Sequence, residues 1–244
     1  MRSSNPSLND KTFRRFQGTA SEGNAMTIGG AVNRTFILLV VLMGSAFYSW
    51  NQYFSGESVQ HLLWIGLLGG LIMAFVTIFI PKISPITAPV YALLKGLAIG
   101  SLSAIYESLY SGITLQAALL TISTLLAMLL LYKTGTIKVT KNFRIGVISA
   151  TMGIFFVYLI NIILRFFGMN VPFLHDTGTV GIIISLVIIT VAALNLVLDF
   201  DFIEAGARQQ VPKYMEWYAG FGLLVTLVWL YLEMLRLLAK IRRN

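Results

Sequence analysis

Gly178–Leu198 reads GTVGIIISLVIITVAALNLVL, an unbroken run without a charged side chain, followed at once by Asp199-Phe200-Asp201. A helix needs about 20 mostly apolar residues to cross about 30 Å of hydrocarbon at 1.5 Å per residue, and this run has that length. Its apolar residues are continuous and do not alternate with period two, which excludes a barrel strand and leaves a transmembrane helix. Six further stretches read the same way: Asn33–Trp50, His61–Ile80, Ala88–Tyr110, Ile113–Tyr132, Ile145–Phe167 and Trp217–Leu238. The predicted fold is all-α, a polytopic membrane protein with a seven-transmembrane helix bundle. Only Ser111 and Gly112 join the third and fourth spans, so those two must be antiparallel neighbours.

Composition agrees. Of the 244 residues, 57% are hydrophobic and 11% charged, against roughly a quarter charged in a soluble domain. Residues 1–30 are polar and lack the apolar core of a cleavable signal, so they are expected to form a soluble N-terminal tail ahead of a transmembrane domain at 31–240. There is no cysteine, hence no disulfide, thiolate metal site or cysteine nucleophile. His61 and His175 are assigned to loops and belong to no metal-binding array, so no metal centre and no cofactor is expected. The chain also lacks the GxGD, Ser–His or HExxH arrangements of intramembrane proteases, and it is not expected to be an enzyme.

The net charge of +8 does not indicate nucleic acid, because the basic residues sit at span ends instead of forming one stripe. They report orientation. A cytoplasmic N-terminus puts Arg2, Lys11, Arg14, Arg15, Arg34, Lys82, Lys133, Lys138, Lys141, Arg144, Arg208 and Lys213 on the inner side. The outer loops are nearly free of Lys and Arg. Arg236, Lys240, Arg242 and Arg243 are the exception, and they leave two readings of the last span: a full crossing, or a re-entrant helix that returns its basic tail inside. Gly66 with Gly70 and Gly96 with Gly100 have GxxxG spacing, read first as helix packing. Trp50, Tyr53, Trp64, Tyr132, Trp217 and Tyr218 gather toward span ends as interfacial anchors.

Ionisable residues within apolar spans carry the functional signal, since an isolated charge in hydrocarbon costs several kcal/mol. Asp199 and Asp201 end the sixth span. Glu107 and Glu233 lie near the outer ends of the third and seventh, and Lys95 lies about two turns into the third. Each also has a structural reading. The aspartates are solvated loop carboxylates, Glu233 pairs with Arg236 one turn on, Glu107 faces water or pairs with Arg165, and Lys95 snorkels or neutralises Asp199.

The chain resembles the Bax inhibitor-1 family, also called transmembrane Bax inhibitor motif proteins, and in particular its bacterial YccA-like branch. The likeness is carried by MRSSNP at residues 1–6, APVYALLKGLAIGSLSAIYE at 88–107, LDFDFIEAG at 198–206 and PKYMEWYAGFGLLVTLVWLYLEMLRLL at 212–238. It implies that the other helices surround the last one, and that the protein is a pH-sensitive calcium leak of the bacterial inner membrane, gated by protonation of acidic residues. Calcium or other cations would be the transported ions, with the lipid bilayer as the surroundings. The alternative is a non-transporting regulator that binds another membrane protein, with the GxxxG faces and the tail as its working parts. In the family an acid on the sixth helix pairs with one on the last, and Asp199 matches the first. Where the second would stand, this chain has the apolar run Leu223–Thr226.

The candidate ion-binding or gating residues are therefore Asp199, Asp201, Glu233 and Glu107. Depth separates them. Glu233 follows Trp217 by about 24 Å of helix, whereas Asp199 ends a helix descending to the inner face. Asp199 is thus expected to meet Asp201 or Lys95 rather than Glu233, and Glu233 to approach Glu107, Arg165 or Arg236.

Overall fold

A computed structural model describes residues 24–167 and 178–243, apart from the side chains of residues 165 and 166. Most of the expected N-terminal tail (residues 1–23), His175 and the Arg165 side chain lie outside the described residues. The others form seven helices long and apolar enough to span a membrane. They are α1 (Ile28–Phe54), α2 (Gln60–Phe79), α3 (Ser84–Leu109), α4 (Ile113–Lys133), α5 (Lys141–Phe166), α6 (Thr179–Arg208) and α7 (Met215–Arg243), with a 3-10 turn at Pro81–Ile83 before α3. His61, assigned above to a loop, lies in the first turn of α2.

Local chemistry sets the helix ends. Thr27 caps α1, its hydroxyl accepting from the Gly30 N–H at 2.9 Å and so satisfying a donor with no intrahelical partner. The α3–α4 turn needs a residue with positive φ, supplied by Gly112 at 77°. α6 continues to Arg208, well past the end of the apolar run at Leu198, so Asp199 and Asp201 lie within a helix and not in a loop.

Close approach of α1, α2 and α3 accounts for Gly66, Gly96 and Gly100 of the GxxxG spacings. A Cβ on Gly96 would stand 2.2 Å from the Leu42 carbonyl oxygen of α1, and one on Gly100 would stand 2.0 Å from that of Ala46. A Cβ on Gly66 would meet the Leu94 carbonyl oxygen of α3 at 2.4 Å. These glycines let backbones touch, which matters in lipid because apolar packing alone gives helices little reason to associate.

α7 is the most buried of the seven and packs on α1, α3, α4 and α6, so the last helix is central as the resemblance implies. It also crosses completely. Its 29 residues extend about 43 Å. Its start lies near that of α3, where the Ser84 hydroxyl donates to the Tyr214 carbonyl, and near the segment before α1, where Met26 N–H donates to Val211 O at 2.7 Å. At its far end Arg242 donates to the Ser111 carbonyl in the α3–α4 turn at 2.6 Å, and Lys240 to the Gly181 carbonyl of α6 at 3.0 Å. The re-entrant reading is thereby overturned. We call the two ends of the bundle the N-terminal end, where α1 and α7 begin, and the hairpin end, where α3 turns into α4.

Candidate functional site

Among the described residues, three carboxylates are almost wholly removed from the surface: Asp199 at 2% exposure, Glu216 at 2% and Glu233 at 1%. All belong to α6 and α7, at the centre of the bundle. Counted from the N-terminal end, Glu216 is in the first turn of α7, Asp199 lies nine residues inside the end of α6, and Glu233 lies eighteen residues beyond Met215. At 1.5 Å per residue the last two stand at depths of about 14 and 27 Å. The three form a descending series.

Glu233 is held by three donors. The Tyr158 hydroxyl of α5 donates to its Oε1 at 2.8 Å, Arg236 donates at 2.8 Å, and the Trp229 indole N–H reaches the same oxygen at 3.3 Å. The Arg236 pairing is the one expected from i,i+3 spacing, and Asp199 is not among the partners of Glu233. Tyr158 and Trp229 could not be read from the sequence, because an aromatic in mid-span reads as packing until the fold brings a carboxylate to it.

Asp201 does not serve as the partner of Asp199. Because α6 continues as a helix, residues two apart diverge, and Asp201 turns outward to Arg144 at the start of α5, its Oδ2 accepting from the guanidinium at 2.5 Å. Arg144 counted in the sequence only as an orienting charge. One turn further along α6, Glu204 accepts from the Tyr132 hydroxyl of α4 and pairs with Arg208 at 3.3 Å.

Glu107 is also taken up locally. Its two oxygens accept from the backbone N–H groups of Gly112 at 2.5 Å and Thr114 at 3.0 Å, so it caps the N-terminus of α4 across the tight turn and does not meet Glu233. Lys95, eleven residues into α3, makes no ion pair among the described residues, which corrects its assignment as a partner of Asp199. Its stem packs where Gly70 leaves room, a Cβ there coming within 3.5 Å of Lys95 Cδ.

Sequence reasoning left Glu216 off the list of site residues. Its Oε1 accepts from both the N–H and the hydroxyl of Thr27 at 3.1 Å, and its Oε2 lies 3.9 Å from Arg34 Nε. Arg34 in turn lies over the Trp217 ring, 4.8 Å from its centroid. An acid at a predicted helix start is ordinarily solvated, and nothing in the sequence showed that the segment before α1 would cover it.

A cavity of about 640 Å³ between α1, α3, α4 and α7 is lined by apolar side chains and the hydroxyls of Ser103, Thr114, Thr121 and Tyr231. It contains no carboxylate, so the acidic series and not this cavity is the candidate site. Among the described residues no three His, Cys, Asp or Glu side chains gather as a metal cage. What the arrangement offers is a set of single carboxylates at successive depths along α6 and α7.

Comparison with curated proteins and with solved structures gives no match. A family model described as Bax inhibitor 1 like matches residues 5–243, nearly the whole chain. With seven apolar helices and a last helix enclosed by its neighbours, this multi-pass membrane protein belongs to the Bax inhibitor 1 like family.

Proposed function

We propose that the protein is a proton-regulated cation leak, with calcium as the principal ion and Asp199 as the residue whose charge controls passage. The observation that carries this reading is a carboxylate 2% exposed in a membrane helix, pressed among the central helices at intermediate depth. An ionisable group there is costly and marks an ion or proton pathway far more often than a structural accident. Ionised, it attracts a cation into the bundle. Protonated, it withdraws that attraction, so leak follows pH.

The regulator alternative is less well supported, because both GxxxG spacings lie inside the bundle and leave no such face for a partner. We further propose a cytoplasmic N-terminus in a bacterial inner membrane. Arg34, Lys82, Lys133, Lys138, Lys141, Arg144, Arg208 and Lys213 fall at or near the N-terminal end. The basic residues at the opposite end are engaged by the protein: Arg236 by Glu233, Lys240 by Gly181 and Ser185, and Arg242 by Ser111 and Gln116.

Purified protein in calcium-free liposomes carrying a calcium-sensitive dye tests the reading. Flux above that of protein-free liposomes, with a pH response altered by Asp199→Asn, is expected. No flux at any pH excludes the leak.

A further inference from the structure

α5 is the least buried of the seven spans, and among the described residues α6 is the only helix on which it packs extensively. Its inward stripe runs Arg144, Val147, Thr151, Ile154, Tyr158, Asn161, alternating steps of three and four as a packing seam does. Most of that seam is polar. Among the described side chains of α5, only Val147 and Asn161 are buried.

Three positions of the seam, each seven residues from the next, reach polar partners on the central helices. Arg144 donates to Asp201 at 2.5 Å near the N-terminal end. Two turns deeper, the Asn195 amide donates to the Thr151 hydroxyl at 2.8 Å. Two turns deeper again, the Tyr158 hydroxyl donates to Glu233 at 2.8 Å and accepts from Arg236 at 3.0 Å. Lipid tails solvate the apolar faces of α5 as well as protein does, so apolar packing barely holds it in place and the polar contacts decide where it sits.

We infer that α5 is a detachable side wall of the cation path, latched over Asp201 and Glu233 by the contacts of Arg144, Thr151 and Tyr158, and that conduction requires the latch to release. Arg144, Thr151, Tyr158 and Asn195 are thus positioning residues for the leak. The inference rests on the leak proposed above and names its moving part. The contacts sit on one helix face, so the helix leaves as a unit. Release uncovers two carboxylates and one carboxamide on the central pair, a polar track where the closed bundle has a sealed seam.

The absence of native cysteine allows a clean test. In reconstituted Thr151→Cys/Asn195→Cys protein, oxidation to the disulfide is expected to cut calcium flux at least tenfold and reductant to restore it. The control pair Thr77→Cys/Thr87→Cys links α2 to α3 where the native hydroxyls are 2.8 Å apart, and it should conduct equally in both states. Equal flux from the oxidised and reduced α5 pair overturns the inference. A flux-independent measurement uses spin labels at Phe155→Cys on α5 and Leu126→Cys on α4, both lipid-facing. A broad or two-peaked distance distribution, widened further by Tyr158→Phe with Asn195→Leu, supports a detachable α5 even if the protein carries no calcium. A single narrow distance unaffected by those substitutions overturns it whatever the flux.

Discussion

The carboxylate of Glu216 accepts from both the backbone N–H and the hydroxyl of Thr27 at 3.1 Å, fastening the first turn of the central helix to the start of α1. Gly30 makes this possible, since a Cβ there would stand 1.9 Å from Glu216 Oε1. Glu216→Ala removes the acceptor of two part-buried hydrogen bonds, a loss of about 1 kcal/mol. Gly30→Ala should destabilise comparably by displacing the carboxylate, while Glu216→Gln, which keeps one acceptor oxygen, should lose less. Thermal unfolding in detergent ranks the variants. Equal stability of Glu216→Ala and the native protein would remove the fastening role.

The glycines of the α2, α3 and α1 contacts should respond according to the space around them. Gly100→Ala drives a methyl into the Ala46 carbonyl and should destabilise by about 1–3 kcal/mol, the usual range for overpacking. Gly70→Ala, which meets Lys95 Cδ at 3.5 Å in ordinary contact, should be close to neutral. Unfolding temperatures in one detergent check the contrast, and a Gly70 variant as damaged as the Gly100 variant would contradict the geometry.

Topology is testable by labelling because no native cysteine competes. A cysteine at Thr136, in the α4–α5 connection, should resist an impermeant reagent in intact cells. Cysteines at Glu57, between α1 and α2, and at Arg243 should react. Modification at Thr136 with protection at Glu57 and Arg243 would show that the N-terminal end does not face the cytoplasm.

The seven spans were legible because about 20 apolar residues have few other fates in a membrane chain. Their ends were less so. Hydropathy stops at Leu198, yet α6 runs on to Arg208, because Asp201 and Glu204 find Arg144 and Tyr132 on neighbouring helices. Those pairs span 57 and 72 residues of sequence, a separation at which no local pattern links them. The i,i+3 pair of Glu233 with Arg236 was legible, being set by one turn of helix. Glu107 shows the converse: a carboxylate five residues before a glycine turn has the spacing of a cap, but only the folded turn aims its oxygens at the Gly112 and Thr114 N–H groups. Glu107→Ala should therefore cost about 1 kcal/mol of stability, as loss of a cap does, and leave the pH response of calcium flux unchanged.

The two aspartates of the Asp199-Phe200-Asp201 sequence should separate cleanly by experiment. Asp201 is paired with Arg144, and the two side chains keep 20% and 13% exposure, so Asp201→Asn leaves a guanidinium short of its counter-charge. The expected loss is about 1–3 kcal/mol, below that of a fully buried pair because water still reaches both groups. Asn at position 199 has nearly the shape of the native side chain and keeps one acceptor oxygen, but it cannot exchange a proton. If Asp199 sets the pH dependence of the leak, Asp199→Asn flux should stay constant where the native protein responds to acid, with the unfolding temperature little changed. Asp201→Asn should do the reverse, lowering the unfolding temperature while flux still responds to pH. Calcium flux and thermal unfolding measured on the same preparations give both readouts. A retained acid response in Asp199→Asn, beside a lost one in Asp201→Asn, would move the gate from the interior of α6 to its contact with α5.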